Sequence, residues 1–250
     1  KFLEYEKIDF VQKAIFYDKK KKILISSFLE GDNLIEKKLN KKYFDDLVKK
    51  IVKIHSIKYK NYQKFCKNNK FRTDKPNRLS EKFKNSGYGR GNYVIRNCDK
   101  KIAVEWVEMH LEKAGKIVEG IKEYKKNIKF IHGDLTGANV MINKGDILFI
   151  DWDAAKFCYL PEYELAYSIV HFDYFLEHKD EILKRYAKLL RIGYEALNDR
   201  ILVIMEIIQT TKVIWAAWMY TKTKEEKVKG ANKYYKLFLK RVGEYNKLFN

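Results

Sequence analysis

The sequence predicts an α+β protein, mostly helical with a minor sheet component, and three observations carry that expectation. There are only two prolines, Pro76 and Pro161, so long stretches of Leu, Ile, Lys and Glu run without breakers. Apolar residues recur every three or four positions over much of the chain, which is the period of an amphipathic helix. Two short apolar runs, Val140-Met141-Ile142 and Ile147 to Ile150, flank Asn143-Lys144-Gly145-Asp146, a hairpin turn of suitable composition. With 250 residues, 46% of them hydrophobic and 15% aromatic, the chain can bury a substantial core, which excludes disorder.

Along the chain, residues 9 to 18 read as an extended segment leading to a lysine turn at 19 to 22. Ile23 to Phe28 then reads as a short buried strand, broken by the turn and cap chemistry of Glu30-Gly31-Asp32-Asn33. From there to His55 the spacing of Leu39, Tyr43, Leu47, Ile51 and Ile54 predicts a helix. Residues 57 to 100 are polar and irregular. Their Gly87-Tyr88-Gly89-Arg90-Gly91 lacks the apolar strand that feeds a phosphate-cradling loop, so a plain turn or mobile insertion is expected. A helix is predicted from Ile102 to Tyr124. Phe130-Ile131 leads into a loop over 132–139, the hairpin follows, and beyond Pro161 helices are expected near 162–178, 180–192, 197–222 and 224–248.

The net charge is +19, which on its own points to nucleic acid or an anionic surface. Only eight of the 52 basic residues are arginines, the better residue for bidentate phosphate or base recognition, and no basic aromatic motif stands out. Solvated helix faces account for the charge, and no nucleic-acid partner is expected. Cys66, Cys98 and Cys158 are odd in number and lack C-x-x-C spacing, so neither a disulfide framework nor a zinc site is expected and the cytoplasm is the natural location. The most apolar stretch, Ile201 to Tyr220, is interrupted by Glu206, Gln209 and Lys212, so a buried helix is expected rather than a membrane span.

The chemistry concentrates in His132-Gly133-Asp134-Leu135-Thr136-Gly137-Ala138-Asn139 and Ile150-Asp151-Trp152-Asp153. A hydroxyl attacking a γ-phosphate needs a carboxylate to orient it and take its proton. The magnesium ions on the phosphates need oxygen ligands from a second carboxylate and an amide. An Asp, an Asn five positions on and an Asp after a short hairpin can line one wall of a cleft. This pair of motifs resembles the aminoglycoside phosphotransferase and choline kinase superfamily, with its His-Gly-Asp-x-x-x-x-Asn and Ile-Asp-Trp/Phe-Asp/Glu signature. The resemblance implies a bilobal protein-kinase-like fold and use of ATP or GTP with magnesium. It makes Asp134 the catalytic base, Asn139 and Asp151 the magnesium ligands and His132 a brace of the loop. Asp153 reads equally as a further magnesium or acceptor contact and as a surface carboxylate.

Ile23 to Gly31 resembles the family's last small-lobe strand and hinge, which puts the backbone of Ser27 and Leu29 at the adenine edge. Glu162-Tyr163-Glu164-Leu165-Ala166 occupies the place of an Asp-Leu-Ala helix start, with Glu164 for the usual Asp. Residues 1–30 would then be the end of the smaller lobe and 31–250 the larger one. The family's nucleotide loop, ATP-binding Lys and helix Glu would lie upstream of a segment like residues 1–18.

The acceptor is expected to be a small-molecule hydroxyl. Trp215 and Trp218 sit three apart on a helix, as an aromatic pair that would hold a quaternary ammonium or as helix core. Choline or ethanolamine is the leading class; a polycationic aminoglycoside needs acidic walls that a basic chain offers poorly. Two other readings remain open: an atypical kinase or ATPase of the tRNA-modifying KEOPS type, and a pseudokinase that binds without catalysing.

Overall fold

In the computed structural model, residues 2–12, 14–18, 21, 23–34, 41–121, 123 and 127–249 are described. Positions 19, 20 and 22 of the expected lysine turn, Leu39 of the expected helix and Tyr124 lie outside them. The chain begins with a short helix α1 (Phe2–Tyr5), then strands β1 (Ala14–Asp18), β2 (Ile23–Ser26) and β3 (Asp32–Asn33). Helices α2 (Lys41–His55), α3 (Tyr59–Asn68) and α4 (Leu79–Phe83) follow, then α5 (Gly89–Asn97) and α6 (Lys101–Gly120). Strands β4 (Lys129–Ile131), β5 (Val140–Asn143), β6 (Asp146–Phe149) and β7 (Lys156–Cys158) precede α7 (Glu162–His171) and α8 (Asp173–Glu177). Three long helices complete it: α9 (Lys179–Leu190), α10 (Tyr194–Glu225) and α11 (Ala231–Phe249).

Two compact units divide these elements, residues 1–76 with 124–199 and residues 77–123 with 200–250. In the first, β1 and β2 form an antiparallel hairpin whose register shifts between Ala14 and Phe16. The predicted hairpin is β5–β6, pairing Val140 with Phe149 and Asn143 with Asp146. A departure from expectation comes at Asp32-Asn33. Gly31, at φ 146°, does break the chain, but the next two residues pair with Ile142 and Met141 instead of staying in a turn. A Cβ on Gly31 would run into the Ile142 carbonyl, so only glycine allows this approach. Strand β7, which sequence periodicity did not mark, pairs with β4 and frames the loop at 132–139.

Aromatic rings fill this unit. Phe149, fully buried, meets Phe10 edge-on at 5.4 Å, while its N–H donates to the Phe10 carbonyl at 2.9 Å. Phe2, Tyr62, Phe130 and Phe157 cluster with centroids 5.1–6.2 Å apart. Helix α2 docks on β6 through Lys50, whose ammonium bridges Asp46 (2.6 Å) and the Ile147 carbonyl (2.7 Å).

In the second unit the turn or mobile insertion expected at Gly87-Tyr88-Gly89-Arg90-Gly91 is corrected. Residues 79–97 form one continuous helical run in which Lys84–Tyr88 make a π turn. The glycines there serve close packing: a Cβ on Gly87 would strike the Phe83 ring, and one on Gly91 would strike Leu111 of α6. The Glu123 carboxylate caps α4, accepting the Leu79 N–H at 2.5 Å and the Ser80 hydroxyl at 3.2 Å. Glu206 of α10 takes Lys113 at 2.5 Å and the Tyr245 hydroxyl at 2.8 Å. By length and composition α10 could cross a membrane, yet 61% of its most apolar stretch is buried in the fold.

Phe149 joins the sheet, the N-terminal segment and the loop at 132–139, so its truncation tests the core directly. Phe149→Ala should cost about 3–5 kcal/mol in urea unfolding; a cost below about 1 kcal/mol would show that the core closes without it.

Candidate active site

β4 delivers the chain into the loop that begins at His132. That residue is fully buried, with Nε2 donating to the Ile150 carbonyl at 2.9 Å. Its ring lies 4.5 Å from the Trp152 ring and edge-on to Phe149 at 6.1 Å, and among the described residues Nδ1 has no partner. Gly133 follows at φ 86°, where a Cβ would collide with the Ala154 carbonyl, so a side chain is excluded on both counts.

Helix α7 then holds the loop on both sides of Asp134. Glu164 Oε1 accepts the Gly133 N–H at 2.6 Å, and the Ser168 hydroxyl donates to the Leu135 carbonyl at 2.6 Å. Between these clamps, the Tyr167 hydroxyl donates to Asp134 Oδ1 at 2.9 Å. Burial, reinforced by that bond to a carboxylate, raises the Tyr167 phenol above its ordinary range and keeps it a donor. Asn139 Nδ2 donates to Asp134 Oδ2 at 3.0 Å and to the Asp134 carbonyl at 2.8 Å. Both oxygens of the Asp134 carboxylate are therefore fixed in direction, and each keeps accepting capacity for another donor.

Asn139 sits in a 3₁₀ turn (Gly137–Asn139), and its carbonyl accepts the Ile150 N–H at 3.0 Å. That bond places Asp151 next to Asn139 along the end of β6. Asp151 adopts the left-handed conformation, φ 59° and ψ 66°, and its side chain is exposed. A non-glycine residue there is uncommon, and it turns the chain sharply into a second 3₁₀ turn, Trp152–Ala154. Asp153, in that turn, is exposed too.

The donor chemistry around Asp134 fits a magnesium ion. With its amide nitrogen spent on Asp134, Asn139 has its oxygen left for a cation, and Asp151 adds an exposed carboxylate. Both are hard oxygen ligands. Among the described residues no group of three or more His, Cys, Asp or Glu side chains comes together. Two protein ligands suit an ion that takes its remaining oxygens from phosphates and water.

Of the other residues marked from sequence, Ser27 follows β2 and its carbonyl accepts Gln12 Nε2 at 2.8 Å. Leu29, two residues on, makes no backbone hydrogen bond among the described residues. Trp215 and Trp218 belong to the second unit, not to the one carrying Asp134. Each half-buried indole has a guanidinium above it, Arg241 at 5.1 Å and Arg90 at 5.2 Å. The sequence motifs include neither Tyr167 nor Ser168. The signal was there: both lie one helical turn after Glu164, at i+3 and i+4, and so face the same loop.

Comparison with known proteins agrees with this geometry. The choline/ethanolamine kinase family model matches residues 21–187. No curated protein sequence matches the chain. Among solved structures, a choline/ethanolamine kinase family protein from Mesorhizobium loti superposes with a TM-score of 0.68 at 10% identity, over 99% of this chain and 77% of that one. Choline kinase from Cryptosporidium parvum gives 0.62 at 15% identity, covering 100% and 80%. Spectinomycin phosphotransferase gives 0.61 at 15%, covering 100% and 76%. With the family model matched over two-thirds of its length and a kinase-like fold around the Asp134 loop, the chain belongs to the choline/ethanolamine kinase family of small-molecule kinases.

Proposed function

We propose that this protein transfers the γ-phosphate of ATP, with magnesium, to the hydroxyl of a small amino alcohol such as choline or ethanolamine. The observation that carries the reading is the Asp134 carboxylate, aimed by Asn139 and Tyr167 from opposite oxygens beside the exposed Asp151. Family membership supports the acceptor class. So do the similar folds, which include a Plasmodium vivax ethanolamine kinase and a Streptococcus pneumoniae choline kinase.

In this mechanism the acceptor hydroxyl donates a hydrogen bond to Asp134. As the new O–P bond forms and the bond to the leaving nucleoside diphosphate breaks, Asp134 takes the hydroxyl proton. Tyr167 and Asn139 hold the carboxylate still, so little reorganisation accompanies the transfer. Asn139 and Asp151 would hold the magnesium ion, whose chemistry is to neutralise charge on the phosphate oxygens. The backbone of Ser27 and Leu29 would meet the adenine edge. Residues 1–30 would close the smaller lobe and 31–250 form the larger. An odd number of cysteines with no C-x-x-C spacing accords with a cytoplasmic setting.

A mass-spectrometric phosphorylation screen with Mg-ATP and choline, ethanolamine, sugars, aminoglycosides and nucleosides tests the proposal. Asp134→Ala should lower kcat by about 10²–10⁴-fold while nucleotide affinity stays within about threefold. A fully active Asp134→Ala protein would sink the mechanism. Asp151→Ala should instead weaken nucleotide binding in magnesium and leave binding in EDTA unchanged, as calorimetry would show. Tyr167→Phe removes one donor to a charged group, so kcat should fall roughly 10-fold with the nucleotide KM unchanged.

A further inference from the structure

The Glu164 carboxylate that anchors Gly133 is itself held from behind. Its second oxygen, Oε2, lies 2.8 Å from Nε2 of His55, the last residue of α2. Nδ1 of the same ring lies 2.7 Å from the hydroxyl of Tyr186 on α9. None of the three is accessible: His55 is 0%, Glu164 1% and Tyr186 1% exposed. Four distant stretches of sequence thus meet in one line of hydrogen bonds that ends one residue before Asp134.

Donors and acceptors along the line allow one consistent assignment for neutral His55. A carboxylate only accepts, so Gly133 N–H and His55 Nε2–H both donate to Glu164. Nδ1 then carries the lone pair, and the Tyr186 hydroxyl donates to it. The other neutral tautomer would set a lone pair against the carboxylate, so the Tyr186 hydroxyl favours the ring form that holds Glu164. Without His55, Oε2 would be a buried acceptor with no donor, which carries a desolvation penalty. Glu164 would relieve that penalty by rotating, and rotation breaks its bond to Gly133.

We infer that His55 and Tyr186 are positioning residues for phosphoryl transfer, setting the Glu164 carboxylate and through it the placement of Asp134. The inference rests on the catalytic reading of Asp134 given above. Ser168 still ties the Leu135 carbonyl when Glu164 turns, so the loop stays folded but loses its anchor on the Gly133 side. The effect therefore belongs to kcat and not to nucleotide binding.

The test compares the purified wild type with His55→Ala, His55→Gln and Tyr186→Phe, with Lys116→Ala, an exposed change on α6, as control. Two readouts are taken: steady-state kinetics with Mg-ATP and whichever acceptor the screen finds, and amide hydrogen exchange of residues 132–139 by mass spectrometry. His55→Ala should lower kcat about 10–100-fold, with the nucleotide KM within about twofold. Exchange in the loop should speed up about 10-fold or more. His55→Gln, whose amide N–H can replace the Nε2 donor, should recover part of kcat, and Tyr186→Phe should lose about 3–10-fold. Unchanged kcat and unchanged loop exchange in a folded variant would overturn the inference, whatever happens to Tm. If His55→Ala does not fold, Tyr186→Phe, which removes a single oxygen, decides on the same two readouts. A wild type that phosphorylates nothing would refute the kinase reading, and faster loop exchange in the variants would still uphold the line from Tyr186 to Gly133.

Discussion

A buried carboxylate must find donors, and in this fold the search by Glu164 organises the loop at 132–139. Its two oxygens are satisfied by a backbone N–H from the loop and an imidazole from α2. A buried acceptor stripped of its partner costs on the order of 1–3 kcal/mol, a large share of the 5–15 kcal/mol that holds a typical domain together. Secondary structure then follows the constraint. Helix α7 must start where Glu164 reaches Gly133, which brings Tyr167 and Ser168 onto the loop one turn later.

The Asp134 carboxylate is held differently. Asp134 touches side chains that are only partly buried, and its partners, an amide and a phenol, both donate. This division lets rigidity come from the buried layer while the outer layer keeps a lone pair for a further donor. His132 works in the buried layer as well, tying the loop to the Ile150 carbonyl just before Asp151. The two aspartates are thereby fixed relative to each other through a main-chain carbonyl and not through their own side chains.

What could be read from the residues follows the range of the interactions involved. The β5–β6 hairpin and the helices of the second half declare themselves by short-range signals, a turn sequence and a repeat of three to four. Strand β7 is only three residues long and exists because β4 pairs with it, which no local pattern announces. The segment 77–97 was illegible because its glycines, which locally suggest a turn, are needed for contact with Phe83 and with Leu111 on a later helix. Within the site, the Asp134, Asn139 and Asp151 spacing was plain. His55 and Tyr186 were not, since a histidine ending an amphipathic helix and a tyrosine inside another look like ordinary core.

The interleaving of the two units has a consequence for how the protein is made. Residues 77–123 leave the ribosome before residues 200–250, the other part of their unit, have been synthesised. At about 5–20 residues per second, translating the intervening stretch takes roughly 4 to 15 seconds. During that interval Trp106 and His110 of α6 wait for Phe238 and Tyr245, the rings they meet in the finished unit. The unit carrying Asp134 is also incomplete until α9 emerges, since Tyr186 lies there. For a nascent chain this is the period of greatest exposure to aggregation, and a pause in translation placed between α6 and α10 would lengthen it.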